Sequence, residues 1–119
     1  MKRKGATNLQ LRNLVKELRD LSSKQNVKIW DRIANDLEKA TRQRRIVNLS
    51  RINRFVKENE SIIVPGKVLG SGVLDHKVTV AAFNFSKSAV EKISKVGACL
   101  TIKELIEKNP QGKGIRIIG

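Results

Sequence analysis

The chain has 119 residues and carries 25 Lys plus Arg against 11 Asp plus Glu, a formal net charge of +14. A single cysteine excludes an intrachain disulfide and a thiolate zinc cluster, and no apolar run reaches membrane-spanning length. A domain this long buries a core without a cross-link or metal, whereas so large a cationic excess repels itself and calls for an anionic partner, nucleic acid before membrane.

The charge is also uneven. Residues 1–57 carry a net +11 and residues 58–119 a net +3, and between Lys39 and Lys57 there are seven basic side chains and no acidic one. Solvated helix faces usually mix the two signs, and this segment does not.

Residues 1–7, "MKRKGAT", are basic and without periodicity, so they read as a flexible arm that orders against a partner, ahead of a single domain over 8–119. The basic start resembles that of a signal peptide, but no continuous apolar stretch follows it. From Asn8 onward Leu11, Leu14, Val15, Leu18 and Leu21 recur at helical spacing, with Thr7 or Asn8 as cap and Asp20 opposite Lys16 or Lys24. "SSKQN" interrupts the pattern. A second amphipathic helix follows with Ile29, Trp30, Ile33 and Leu37 on one side, and the short link favours an antiparallel pair or an elbow. Trp30 suits the core better than a base-stacking role.

Thr41–Arg45 reads as an exposed basic connection. Ile46–Leu49 reads as a short strand or extended lead-in, and Ser50–Lys57 as a short helix burying Ile52, Phe55 and Val56. On that helix Arg51 and Arg54 share a face. "SIIV" then makes a strand ended by Pro65-Gly66 in a type II turn, and Gly70 and Gly72 punctuate a loop through "VLDHK". In "VTVAAFNF" Val78, Val80 and Ala82 point one way and Thr79, Ala81, Phe83 and Phe85 the other, so this strand is expected to be covered on both faces. Ser86 caps a helix burying Ala89, Val90, Ile93 and Val96, and Gly97 ends it. "ACL" is a brief strand, Thr101 and Glu104 form a capping box for a last helix stopped at Asn109-Pro110, and "IRII" closes the chain as a strand after a turn. N-terminal helices followed by short strands alternating with short helices predict an α/β fold with a small, partly parallel sheet.

Enzymatic motifs find no support. The glycine stretch "VPGKVLGSG" has its lysine before the later glycines and no hydroxyl after it, unlike a P-loop. Counted from Gly70 and Gly72, the third glycine of a dinucleotide fingerprint falls on Asp75. His76, the one histidine, sits in a turn-like context that suits a surface loop better than a general base, and Cys99 in "VGACLT" reads as a small buried hydrophobe, compatible with a reducing intracellular compartment. Nothing clusters as metal ligands.

Nucleic-acid binding accounts for more. Arginine guanidinium groups fit phosphate oxygens and stack on bases, and neutralising several phosphates gives salt-dependent affinity. The residues expected at such a surface are Lys2, Arg3 and Lys4 of the arm, Arg42, Arg44 and Arg45 of the connection, Arg51 and Arg54 of the helix, and Lys67, Lys113 and Arg116 from the glycine loop and the last strand. The four aromatics, Trp30, Phe55, Phe83 and Phe85, all fall on apolar positions, which points to reading of RNA shape and backbone rather than bases. The glycines then serve either turns or close backbone approach to a phosphate.

"VNLSRINRF", "IIVPGKVLGSGVLDHKVTVAAFNFS" and "NPQGKGIRIIG", in this order after a basic two-helix half, resemble the large-subunit ribosomal protein family called eighteen-e in archaea and eukaryotes, related to the C-terminal part of bacterial large-subunit protein fifteen. The resemblance spans essentially the whole chain, and the compact length is similar to the archaeal members. It implies an irregular β-β-α superhelix and a structural role in the cytoplasmic ribosome. It also implies large-subunit ribosomal RNA and neighbouring ribosomal proteins as partners, with no enzymatic activity, cofactor, small-molecule substrate or membrane. The competing expectations are a DNA-binding or chromatin-type basic protein, an RNA-modifying enzyme with His76 as base, and a membrane-surface binder, the last lacking aromatic anchors beside its basic segment.

Overall fold

The computed structural model describes residues 2–39 and 45–118, with side chains described over 9–39 and 46–118. In chain order the elements are α1 (Lys2–Gln25), α2 (Lys28–Glu38), β1 (Arg45–Asn48), α3 (Leu49–Phe55), β2 (Ser61–Leu69), β3 (Thr79–Phe85), α4 (Lys87–Val96), β4 (Ala98–Thr101), α5 (Ile102–Lys108) and β5 (Ile115–Ile117). This is an α/β fold.

α1 starts at Lys2, so the segment expected as an arm has helical backbone, and Thr7 and Asn8 lie inside the helix instead of capping it. Extending a formed helix gains one hydrogen bond per residue fixed, which lets it run past the apolar stripe into "KRKGAT". The other end is sharply defined. Asn26 adopts φ 57 and the Val27 amide reaches back to the Ser22 carbonyl at 3.0 Å, a left-handed stop of the kind asparagine tolerates. α2 then folds back on α1, and Leu11 and Glu38 line the same surface hollow. The ion pairs expected for Asp20 do not form among the described residues. Arg19 instead grips α2, donating to Asp31 Oδ1 at 3.4 Å, Asn35 Oδ1 at 3.0 Å and Glu38 Oε1.

β2 is the hub of a five-stranded sheet with order β1-β2-β3-β4, and every pairing is parallel. One edge of β2 is shared end to end: Ser61–Ile63 pair with β5, and Gly66–Leu69 pair with β1. The strand is nine residues long and passes straight through Pro65-Gly66, where a terminating turn was expected. Proline lacks an amide donor, and Pro65 sits where none is demanded: between the two edge partners and at the register shift against β3 between Val64 and Lys67.

The sheet separates two cores. Ile62, Val64, Val68, Val78, Val80 and Ala82 face α3 and α4, burying Leu49, Ile52, Val56, Ala89 and Ile93. Ile63 and Ala81 face α1, α2 and α5, burying Leu18, Trp30, Ile33, Leu37, Ile102 and Leu105. Connections that step from β1 toward β4 carry α3 and α4 on one face, and the return from β4 to β5 carries α5 on the other, as crossovers of a single hand require.

Three side chains depart from the expected pattern. Phe85 packs with Val80 and Ala82, because the shift opposite Val64–Lys67 breaks simple alternation along β3. Val90 is 40% exposed, one step around α4 from the Ala89–Ile93 line. Phe55 is 46% exposed. Helix α3 ends there, and Val56 turns into an extended conformation that carries its own side chain into the core.

Candidate nucleic-acid interface

Helix α3 is short because only Leu49 and Ile52 seat it against the sheet, and its remaining face is open. On that face the Arg51 guanidinium carbon lies 5.3 Å from the Phe55 ring centroid and that of Arg54 lies 5.9 Å away, both within cation–π range. Ser50, Arg51, Arg54 and Phe55 line one hollow. Arg116 of β5 enters the same neighbourhood: its Nη1 donates to the Phe55 carbonyl at 2.9 Å and lies 3.6 Å from Glu60 Oε1. Among the described residues the ion pairs are those of Arg19, of Lys39 with Asp36, of His76 with Asp75 and of Arg116 with Glu60. Arg51 and Arg54 have no acidic partner there.

The shared edge of β2 gathers further expected residues. Arg45, placed by the sequence in the connection, has its backbone in β1 opposite Gly66, while Arg116 stands opposite Ile62 in β5. Those positions are four residue steps apart on β2, about 13 Å along the strand. Lys67 is exposed and in register with the exposed Ile46 and Asn84, so the end of the basic connection enters the sheet beside it. Lys113 is exposed in the turn before β5, away from Lys67, with its carbonyl held by Asn109 Nδ2 at 2.9 Å. Arg42 and Arg44 lie outside the described residues, as do the side chains of Lys2, Arg3, Lys4 and Arg45.

The glycine loop turns its backbone toward the protein. Lys92 Nζ donates to the Gly70 carbonyl at 2.8 Å and the Gly72 carbonyl at 3.0 Å, and the Ser50 amide donates to the Ser71 carbonyl at 3.1 Å. A phosphate cradle needs converging N–H groups, whereas here carbonyls converge on a cation. A side chain at Gly70 would strike Ser88 Oγ at 2.1 Å and the Ala89 amide at 2.8 Å. Gly72, at φ +98, lies 2.7 Å from the Ser50 amide when a Cβ is added. Both glycines let the crossover between β2 and β3 nest against the starts of α3 and α4.

His76 belongs to the same loop. Its Nδ1 is 2.9 Å from Asp75 Oδ1 and its Nε2 is 2.5 Å from the Val56 carbonyl, while Asn53 Oδ1 accepts from the Asp75 amide at 3.1 Å. Two acceptors favour the doubly protonated ring, so the Asp75 carboxylate first and the Val56 carbonyl second raise the histidine pKa, and the bond to His76 lowers that of Asp75. With both nitrogens engaged, the imidazole is a loop fastener and not a poised base. Burial pushes the Cys99 thiol up, away from reactivity. Among the described residues no group of three or more His, Cys, Asp or Glu can hold a metal ion, and no helix is long and apolar enough to cross a membrane.

What the sequence reading missed is the exposed phenylalanine. Its only signal is position: Phe55 follows Arg54 at the last turn of a helix whose apolar line, Leu49 and Ile52, is already complete.

A family model described as ribosomal protein 60S L18 and 50S L18e matches residues 1–119. The chain is 53% identical over 113 residues to the large ribosomal subunit protein eL18 of Methanosphaerula palustris, covering 94% of this chain and 93% of that one. It is 51% identical to the protein of the same name from Methanoregula boonei and 49% identical to that from Methanothermobacter thermautotrophicus, with the same coverage. A match along the full length, joined to relatives that share about half of all residues, leads to one assignment: the chain belongs to the ribosomal protein family of 60S L18 and 50S L18e.

Proposed function

We propose that this protein is a non-enzymatic structural constituent of the large ribosomal subunit in the cytoplasm, and that it holds ribosomal RNA through its basic N-terminal half. The structural role follows from the family; the RNA surface is our own assignment. The observation that carries it is the pair Arg51 and Arg54, exposed on α3 without acidic partners among the described residues and set in a segment from Lys39 to Lys57 that contains no acid. Unpaired arginines retain their full donor set for phosphate oxygens.

In this reading Arg42, Arg44, Arg45, Arg51 and Arg54 clamp phosphates, and Lys2, Arg3 and Lys4 settle on RNA from the front of α1. Lys67 and Lys113 add contacts from β2 and from the turn before β5. Arg116 spends part of its fork on Phe55 and Glu60 and offers the rest. The less basic C-terminal half, net +3 over residues 58–119, is left for neighbouring ribosomal proteins.

The test is binding of purified protein to large-subunit ribosomal RNA across a salt series, with duplex DNA as competitor. Replacing Arg44 and Arg45 together with alanine is expected to weaken binding and to flatten the plot of log affinity against log salt by about two phosphate contacts' worth. Unchanged affinity and slope reject the clamp. A preference for the DNA duplex at physiological salt favours a chromatin-type binder instead.

A further inference from the structure

We infer that Phe55, flanked by Arg51 and Arg54 and footed by Arg116, is a stacking site for one unpaired nucleobase of the RNA; the inference rests on the RNA-binding reading above and deepens it. Large aromatic side chains are ordinarily kept from water, and the two other phenylalanines, Phe83 and Phe85, are packed against the two cores. Phe55 alone among the aromatics leaves 46% of its surface in solvent, beneath the guanidinium groups of Arg51 and Arg54.

The geometry suits a flipped-out nucleotide. Arg51, four residues before Phe55, and Arg54, immediately before it, bring their guanidinium groups to 5.3 and 5.9 Å from the ring centroid. Both groups lie over the ring, so a base stacks on an outer guanidinium plane or takes the place of one arginine, which then turns to a flanking phosphate. The platform is also braced. The Phe55 carbonyl accepts from Arg116 Nη1, and the Val56 carbonyl is held by His76 Nε2, so the end of α3 is fixed to β5 and to the crossover loop. A protein neighbour would instead meet this apolar ring through a ring of cations, which calls for acidic groups on its side. A nucleotide brings the π-face and the negative charge together, and that makes it the better occupant.

The ring is half-exposed and its carbonyl, not its side chain, makes the tertiary bond, so Phe55→Leu keeps the fold while removing the π-face. The experiment compares wild type, Phe55→Leu and Phe55→Trp for binding to large-subunit ribosomal RNA, to oligoadenylate single strands and to an RNA duplex, each over a salt series. Phe55→Leu is expected to lose about tenfold in affinity for the single strand and for the ribosomal RNA, with an unchanged salt slope and an unchanged duplex affinity. Phe55→Trp is expected to retain binding, with its indole emission quenched by the single strand over the steady background of the fully buried Trp30.

Phe55→Leu binding ribosomal RNA and the single strand as wild type does, as it would if a protein neighbour covered the ring, overturns the stacking site while leaving the RNA reading intact. Equal loss on duplex and single strand also overturns it. Failure of the wild type itself to bind any RNA at physiological salt removes both, and is recognised without any variant.

Discussion

His76 shows how much one side chain can decide in a loop with little regular structure. It ties the crossover to the end of α3, and its neighbour Asp75 is tied to Asn53 on the same helix. The histidine pKa is raised above 6.5, so its contribution to stability is complete below about that pH and disappears as pH rises through the folded value. The Asp75 pKa is lowered below 3.8, so its contribution is complete above that pH and disappears as pH falls through the folded value. Both are in force between 3.8 and 6.5. The unfolding midpoint of wild type relative to His76→Ala is therefore expected to be highest in that window and to narrow toward alkaline pH, as thermal unfolding at a series of pH values will measure. A constant difference across the series contradicts the pair. The sequence displayed "DHK" openly, but which two acceptors the ring meets depends on Val56, twenty residues away, and no local pattern encodes that.

At the scale of elements, local chemistry was the most legible. Ser86 accepts from the Ala89 amide at 3.2 Å, and Thr101 and Glu104 exchange bonds of 3.0 and 2.8 Å in a complete capping box, both as the residue types announce. Removing the hydroxyl in Thr101→Ala is expected to cost about 1 kcal/mol, read from urea denaturation, with Thr101→Ser close to wild type. A Thr101→Ala variant as stable as wild type shows the box to be redundant with the packing of Ile102 and Leu105. Where the sequence misled, tertiary partners had overruled a local signal. Pro65-Gly66 looks like a turn because proline cannot serve a continuous ladder, yet β2 changes partner from β5 to β1 at that point and asks nothing of the missing amide. The exposure of Phe55 was hidden for the opposite reason. An apolar residue at near-helical spacing reads as core, and only the end of α3 and the inward turn of Val56 leave it outside. In the candidate site, the shared face of Arg51 and Arg54 was legible in their spacing, the exposure of the ring beside them was not, and Arg116 was recognised as a cation without its anchoring bonds.

For the whole molecule the net charge of +14 acts in two opposite directions. In the free protein it is self-repulsion, concentrated in residues 1–57 and locally relieved by Arg19 reaching Asp31 and Glu38 and by Lys39 beside Asp36. In a complex with a polyanion the same charges are the attraction. Raising salt from about 0.05 to about 0.5 M is therefore expected to raise the unfolding midpoint of the free chain while weakening its complex with ribosomal RNA. Parallel thermal melts with and without the RNA will show the two trends crossing. Salt responses of the same sign in both contradict a charge distribution kept for binding.

The arrangement of strands also bears on how the chain is born. β2 is made well before β5, yet the flank of its first half that faces away from β3 finds its neighbour in Ile115–Ile117, and the Ile118 amide closes on the Ile63 carbonyl at 3.1 Å. During synthesis the first half of that hub strand must wait, one flank bare, until Ile115–Ile117 have been made. Any nascent product cut short before Ile115 keeps an open template for mispairing along Ser61–Ile63.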